Sequence, residues 1–416
     1  MSKNQHTLIT AAILLYATMV HAQPSSAGDQ LIDSLLHQSD LTTAGVWQAL
    51  IARGLPYAQP TPVDSGETVV TFAWRGDAAT RNVVLVTPLT LVNFASGIMR
   101  RLGTTDVWYA TLRLPADTRL SYRFAPNDPL IPFELDTNLG PRMATMRRDS
   151  ANPKIFDYGP FGQMSVLELP RAPRDAAIYP HAVPHGTTAR FVVGGRTVSV
   201  YTPASVRTGA EAALVVFADG ESYQSLIPAP TILDNLIAQK TIRPVVAAFV
   251  DTPASTREHD LNCAPEWNEY LVKELVPWLR TRYRITADAR RIVVAGYSLG
   301  GLAAACAAVA HPDVFGAVIA QSGSFYRAPP GQEPEWVARH LARSPRLPIH
   351  FVITIGRFER AAIPSRDPSM LTASRHLRDV LDAKGYAPDY RELSSGHEHV
   401  AWRAALGDAL RAALGH

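Results

Sequence analysis

Gly296-Tyr297-Ser298-Leu299-Gly300-Gly301 joins a β-branched apolar run, Arg291-Ile292-Val293-Val294-Ala295, to a series of small residues, Leu302-Ala303-Ala304-Ala305-Cys306-Ala307-Ala308. The run reads as a buried strand and the small residues as a closely packed helix, which places the glycine-flanked serine in a sharp turn between them. G-x-S-x-G in that setting has the form of a nucleophile elbow. Small flanking residues let the chain turn tightly, and the serine hydroxyl stands clear at the carboxyl end of the strand. The plainer reading is a strand-to-helix turn with no chemistry, but the strand before it and the Ala-rich helix after it weigh toward a catalytic Ser298.

Outward from this turn, strand-like and helix-like stretches alternate. Residues 196–202, 213–217, 245–250, 291–295, 314–320 and 349–355 read as strands, with helical stretches at 231–239, 266–283, 302–310, 369–384 and 400–414. Continuous apolar runs such as Ala213-Leu214-Val215-Val216-Phe217 suit strands buried on both faces of a mainly parallel sheet. Together with the elbow they predict an α/β-hydrolase catalytic domain over 185–416, a mainly parallel sheet flanked by helices.

The N-terminal part has another texture. Runs at 68–74, 82–86, 107–114 and 119–124 are short and rich in β-branched and aromatic residues, and turn residues separate them. In the last run Leu120, Tyr122 and Phe124 face one way and Arg119, Ser121 and Arg123 the other, the alternation of a half-solvated antiparallel strand. This predicts a small N-terminal β-sandwich domain over 60–130. Residues 23–59 read as a helical lead, with Leu31, Leu35, Leu36, Val46, Leu50 and Ile51 at near-helical spacing. Residues 131–184 read as a Pro-rich connector lying across the second domain.

Composition narrows the function classes. The 416 residues carry 40 basic and 37 acidic side chains without long runs, a net charge of +3, which leaves no nucleic-acid footprint. With 47% hydrophobic residues the chain is not a disordered one. Lys3 followed by the apolar run 8–20 and Val20-His21-Ala22 reads as a cleavable signal peptide over 1–22, giving an exported, periplasmic protein with no membrane anchor after cleavage. Cys263 and Cys306 are too few for a disulfide scaffold or a cysteine zinc site. A bridge between them is permitted in an oxidising compartment but not demanded, and Cys306 reads as a small buried residue.

A serine hydroxyl is a weak nucleophile and needs a base and an acid to orient that base; in hydrolases of this fold the chain order is serine, acid, histidine. His397, in Ser394-Ser395-Gly396-His397-Glu398, lies in a short turn after the strand-like stretch 389–393 and before the final helix, where such a base is presented. His399 completes a His-x-His pair, which without a third ligand reads as a solvent-facing residue rather than a metal ligand. For the acid, Glu359 follows the strand that ends at Gly356. Asp367, at the start of the next helix, is the competitor, a plain N-terminal cap being its other reading. The oxyanion hole is assigned to the backbone N–H groups of Leu299, directly after the serine, and Gly220 in Phe217-Ala218-Asp219-Gly220.

Asp219-Gly220-Glu221, Gly296 to Gly301, Gln321-Ser322-Gly323-Ser324-Phe325, Gly356 to Glu359, Arg375 to Leu381, Lys384-Gly385-Tyr386 and Gly396-His397-Glu398 resemble the enterochelin (ferric enterobactin) esterases. The resemblance extends to the N-terminal sandwich, through a Trp-Arg-Gly-Asp turn at Trp74 to Asp77. It implies hydrolysis of the ester bonds of a triserine-lactone siderophore, usually as its ferric complex. It also implies that Arg257 corresponds to an arginine beside the oxyanion hole, where a guanidinium suits an anionic ferric catecholate; a surface ion pair with Glu258 or Asp260 is the plainer reading. No cofactor or catalytic metal is implied, since iron belongs to the substrate. The implied partners are that small-molecule siderophore and, functionally, a siderophore uptake system. Many family members have Gly-Gly-His-Asp where this chain has Ser395-Gly396-His397-Glu398. Two other readings stay open: an esterase for feruloyl, acetyl or other small esters, and a non-catalytic siderophore binder that keeps the fold.

Overall fold

The computed structural model describes residues 30–37, 42–59, 66–159, 162–174, 176–206, 211–361 and 368–415. The signal-peptide reading of 1–22 lies outside the described residues. Among those described, no helix is long and apolar enough to cross a membrane.

Two four-stranded antiparallel sheets make the N-terminal sandwich. One holds β1 (Tyr57–Ala58), β2 (Glu67–Arg75), β4 (Arg100–Arg101) and β5 (Val107–Pro115) in the order β1-β2-β5-β4. The other holds β3 (Val83–Val86), β6 (Arg119–Pro126), β7 (Ile155–Asp157) and β8 (Gln163–Glu168) in the order β3-β6-β8-β7. Their inner faces meet at Val70, Phe72, Leu85, Trp108, Leu120, Tyr122, Phe124 and Leu167. Phe72 and Phe124 each stand edge-on to Tyr122, a favourable arrangement of ring quadrupoles. Helices Gln30–Leu36 and Thr43–Arg53 cover the outer face of the first sheet, burying Leu31, Leu35, Val46 and Leu50 against Ala73, Val107 and Tyr109. That second cover is why β2 reads as an unbroken apolar run rather than an alternating one.

The stretch read as a connector is corrected here. Residues 155–157 and 163–168 pair in the second sheet, β8 against β6 from Ser165 to Glu168, so that part of 131–184 belongs to the sandwich; the end of the stretch lies on the second domain, where the Asn235 amide donates to the Ala177 and Tyr179 carbonyls at 2.8 and 2.7 Å. The loop before β7 is pinned by Arg142, buried between Asp128 and Asp136 at 2.7–3.0 Å, and by the Tyr122 hydroxyl donating to Asp149 at 2.7 Å. These anchors are long-range in sequence and leave no local periodicity to read.

The second sheet system has eight strands: β9 (Thr187–Val193), β10 (Arg196–Thr202), β11 (Ala213–Phe217), β12 (Val245–Val250), β13 (Ile292–Tyr297), β14 (Ala317–Gln321), β15 (His350–Gly356) and β16 (Asp389–Leu393). Their order is β9-β10-β12-β11-β13-β14-β15-β16, with β11 through β16 parallel and β9 and β10 antiparallel at one edge. Successive residues of each inner strand serve opposite faces. Leu214 and Val216 pack under the helices Leu299–Ala310 and Pro265–Tyr270, while Val215 and Phe217 pack under Ala229–Ala238 and His399–Leu414. From β11 the chain crosses to β12 on one side and returns to β13 on the other. Such a reversal, at the carboxyl ends of two neighbouring strands, is where open α/β sheets bind ligands. The architecture is the α/β-hydrolase domain behind an N-terminal β-sandwich that the sequence predicts. The helix expected over 266–283 runs from Pro265 to Arg282 and contains one π turn, Leu271–Leu275, just before Pro277, whose nitrogen has no proton to donate.

Candidate active site

Three of the parallel strands deliver the site. β13 ends at Tyr297, and Ser298 follows in a backbone conformation of φ 54°, ψ −123°, costly for any residue with a side chain. The turn is held by Ser298 N–H to the Gln321 carbonyl at 3.0 Å and by Ser324 N–H to the Ser298 carbonyl at 2.9 Å. Residue 296 must be glycine, because a Cβ there would fall 2.3 Å from the backbone of Gly300.

The Ser298 Oγ lies 3.0 Å from His397 Nε2, and His397 Nδ1 lies 2.8 Å from Glu359 Oε2. With Nδ1–H donated to the carboxylate, Nε2 is left as the acceptor for the serine proton, which is the arrangement general-base activation of a serine requires. Glu359 has its side chain almost entirely buried at the end of β15. Its other oxygen accepts from Gly356 N–H at 2.8 Å and from the Ser322 hydroxyl at 2.6 Å. Ser322 in turn accepts from the Trp402 indole at 2.9 Å, and the His397 ring stands edge-on to Trp402 at 4.9 Å. The imidazole is thus fixed on two sides. Asp367, the competing acid, lies outside the described residues.

Leu299 and Gly220 each open a helix, Leu299–Ala310 after β13 and Gly220–Ser225 after the adjacent β11. The N–H of a first helical residue has no acceptor within its helix, so both are available for a developing oxyanion. Arg257 does not pair with Glu258 or Asp260, which go to Arg327 and Arg196. Its guanidinium makes a two-pronged contact with Asp219, at 2.8 and 2.7 Å, directly before Gly220, and lies 5.9 Å from the centre of the Tyr297 ring. Burial pushes the Asp219 carboxyl up and Arg257 pulls it down. The guanidinium is partly exposed, so a cation stands beside the turn at Asp219-Gly220 with a face toward solvent.

His399 is not the solvent-facing residue that the sequence suggests. Its ring packs edge-on against Tyr297, Trp402 and Tyr158 at 5.0, 4.8 and 5.5 Å. Burial, with the neighbouring charges of His397 and Arg257, drives it down to about 4, so it is neutral at physiological pH. Cys263 and Cys306 are joined in a disulfide that ties the helix following Ser298 to the segment after Arg257. Ser322, Asp219 and Trp402 carry no role in a residue-by-residue reading. Only their places in Asp219-Gly220 and Gln321-Ser322-Gly323 hinted at one.

Two family models match the chain: "putative esterase" over residues 193–413 and "enterochelin esterase, N-terminal" over residues 69–178. An iron(III) salmochelin esterase of Escherichia coli O6:H1 is 29% identical over 90% of this chain and 94% of its own length. An iron(III) enterobactin esterase of Escherichia coli K12 is 27% identical over 75% and 80% of the two chains. Among solved structures, the ferric enterobactin esterase of Salmonella typhimurium superposes with a TM-score of 0.73 at 25% identity, covering 89% of this chain and 98% of that one. The enterobactin esterase of Shigella flexneri, solved in the presence of enterobactin, gives 0.70 at 26% identity, covering 89% and 97%. With its catalytic fold matched over more than half of its length and its sandwich matched as well, the chain belongs to the enterochelin esterase family.

Proposed function

We propose that this protein is a serine esterase that hydrolyses the ester bonds of a catecholate trilactone siderophore, as the ferric complex, by acyl-enzyme chemistry. The observation that carries the reading is the continuous Ser298–His397–Glu359 relay, set in a chain that is similar over 90% of its length to an iron(III) salmochelin esterase. Ser298 Oγ attacks an ester carbonyl and gives its proton to His397 Nε2, while Glu359 holds the imidazolium that forms. The tetrahedral oxyanion rests on Leu299 and Gly220 N–H. Collapse of that intermediate breaks the ester C–O bond, and His397 returns the proton to the departing serine hydroxyl of the lactone. Water, deprotonated by the same His397, then cleaves the acyl-enzyme.

Arg257 attracts the anionic catecholates and supports the oxyanion, a role that suits a charged group held rigid by Asp219. The reading needs no resident metal or cofactor, because iron arrives with the substrate. We place the protein in the periplasm, on the leader-like sequence of residues 1–22 and on the Cys263–Cys306 bridge, which suits an oxidising compartment. A functional link to siderophore uptake follows from that location.

Chromatography of ferric enterobactin after incubation with the wild type and with Ser298→Ala tests the reading. Linear catecholoyl-serine products should form with the wild type and fall by about 10⁴-fold or more with the variant. Turnover of 4-nitrophenyl acetate without turnover of the trilactone would leave a small-ester esterase instead. No labelling of Ser298 by a fluorophosphonate would leave a binding protein.

A further inference from the structure

Glu398 follows His397 directly and is buried, with 5% of its surface exposed, yet no cation is among its hydrogen-bond partners. Its Oε2 accepts from the backbone N–H of Ser121 at 2.8 Å and from the Ser121 hydroxyl at 2.5 Å. Its Oε1 accepts from the Ser395 hydroxyl at 3.0 Å and from Gly396 N–H at 3.3 Å. Ser121 belongs to β6 of the sandwich, and Ser395 and Gly396 belong to the histidine turn. One carboxylate therefore joins the two domains at the residue next to the catalytic base. Burying a carboxylate without a counter-ion is costly, and four donors converging on it offset that cost only while both domains are in place.

Three further contacts cross the same seam. Arg119 N–H donates to the Ser394 carbonyl at 3.0 Å. Pro88 packs so closely on Gly396 that a Cβ at 396 would fall 2.2 Å from the Pro88 Cβ. Phe358, next to Glu359, is buried in the core of the sandwich with Val70, Phe72, Leu120 and Tyr122 rather than in its own domain. The two loops are also tied to each other, Phe358 N–H to the Ser395 carbonyl at 3.1 Å and Arg357 N–H to the Leu393 carbonyl at 2.8 Å. A cavity of about 370 Å³ lined by Arg119, Leu393, Ser394, Ser395, Ala404 and Ala405 lies along the same seam.

We infer that Glu398 is a positioning residue through which the N-terminal sandwich, by way of Ser121, holds the His397 turn in register with Ser298, while Phe358 anchors the neighbouring acid loop to the same domain. Glu398 acts through His397 and touches no substrate atom. The inference rests on the esterase reading for its kinetic readout and on the structure alone for its exchange readout.

The test compares full-length wild type, Ser121→Ala, Glu398→Gln, Glu398→Asp and the double variant Ser121→Ala/Glu398→Gln on 4-nitrophenyl acetate, with active enzyme counted by titration. Amide hydrogen exchange of residues 394–400 is followed in parallel. Displacement of a catalytic group by an ångström costs on the order of 100-fold, so Glu398→Gln should lower kcat by about 10- to 100-fold with KM within about twofold. Ser121→Ala should lower it less, Glu398→Asp should recover part of the loss, and adding Ser121→Ala to Glu398→Gln should change nothing more. Exchange at 394–400 should quicken in each variant, including Ser121→Ala, a small change in the other domain. Wild-type kcat and exchange in Ser121→Ala with only a lower Tm would overturn the inference, as would losses that multiply in the double variant. A wild type inactive on every ester would overturn the esterase reading, and exchange alone would then decide whether Ser121 holds the turn.

Discussion

Ser298 and His397 are 3.0 Å apart, yet different parts of the molecule hold them. The serine turn is self-sufficient: Gln321 and Ser324 fix its backbone, and the helix that follows is buried under the catalytic sheet on nearly every side. The histidine turn and the acid loop before it lean on the sandwich, through Ser121, Pro88, Arg119 and the Phe358 side chain. On the proposed esterase reading, one domain builds the nucleophile and the other helps to hold the geometry that activates it. The contrast also separates two ways of losing activity: one that destroys the serine, and one that leaves it intact but unactivated.

The sharpest way to break this comparison is Glu359→Gln, which removes the charge that faces His397 while changing little volume. Replacing the triad acid by its amide leaves the wrong imidazole tautomer, and kcat should drop by about 10³- to 10⁴-fold with Tm near that of the wild type. A loss below about tenfold, read by steady-state kinetics on an aryl ester, would remove Glu359 from the acid role.

Next in size is Gly396→Ala. The added methyl meets Pro88 and should push the histidine turn away from Ser298, lowering kcat by tens of fold. Combining it with Pro88→Gly should restore much of the activity if the sandwich is what the methyl strikes. Equal losses in the single and double variants would place the strain within the catalytic domain and dissolve the contrast.

The smallest effect concerns His399, behind the base. Its folded-state value of about 4 lies below the ordinary 6.5, so between those pH values the unfolded chain binds the extra proton. Stability from this residue is present above about pH 6.5 and is lost as pH falls toward 4. Urea unfolding across that range should show a shallower acid decline for His399→Phe than for the wild type. Parallel profiles would mean that other groups govern the acid limb.

The catalytic half was far more legible in the sequence than its partner. Strands such as Ala213–Phe217 and Val245–Val250 are buried on both faces, so an unbroken apolar run announces each of them. The meeting of Glu359 and His397, at 2.8 Å, was legible because both residues follow strands, β15 and β16, at the carboxyl edge of the sheet. β8 escaped because it lies among prolines and is only partly buried, and its partner β6 is about 40 residues away. Ser121 was read as solvent-facing because the alternation of β6 records only its own sheet; the cover comes from Glu398, 277 residues later. Asp219 beneath Arg257 escaped for the same reason, since it needs a partner that no local pattern names, whereas the cysteine pair was left open because sequence alone does not show that the two thiols meet.

The disulfide adds a property of another kind. Cys263 and Cys306 are 43 positions apart, and the covalent ring they close contains β13, Ser298 and the elbow glycines Gly296, Gly300 and Gly301. A protease that cuts once anywhere inside that ring severs the main chain without releasing either piece. Ser298 then stays tethered to both flanks of its own sheet, whichever side of it the cut falls.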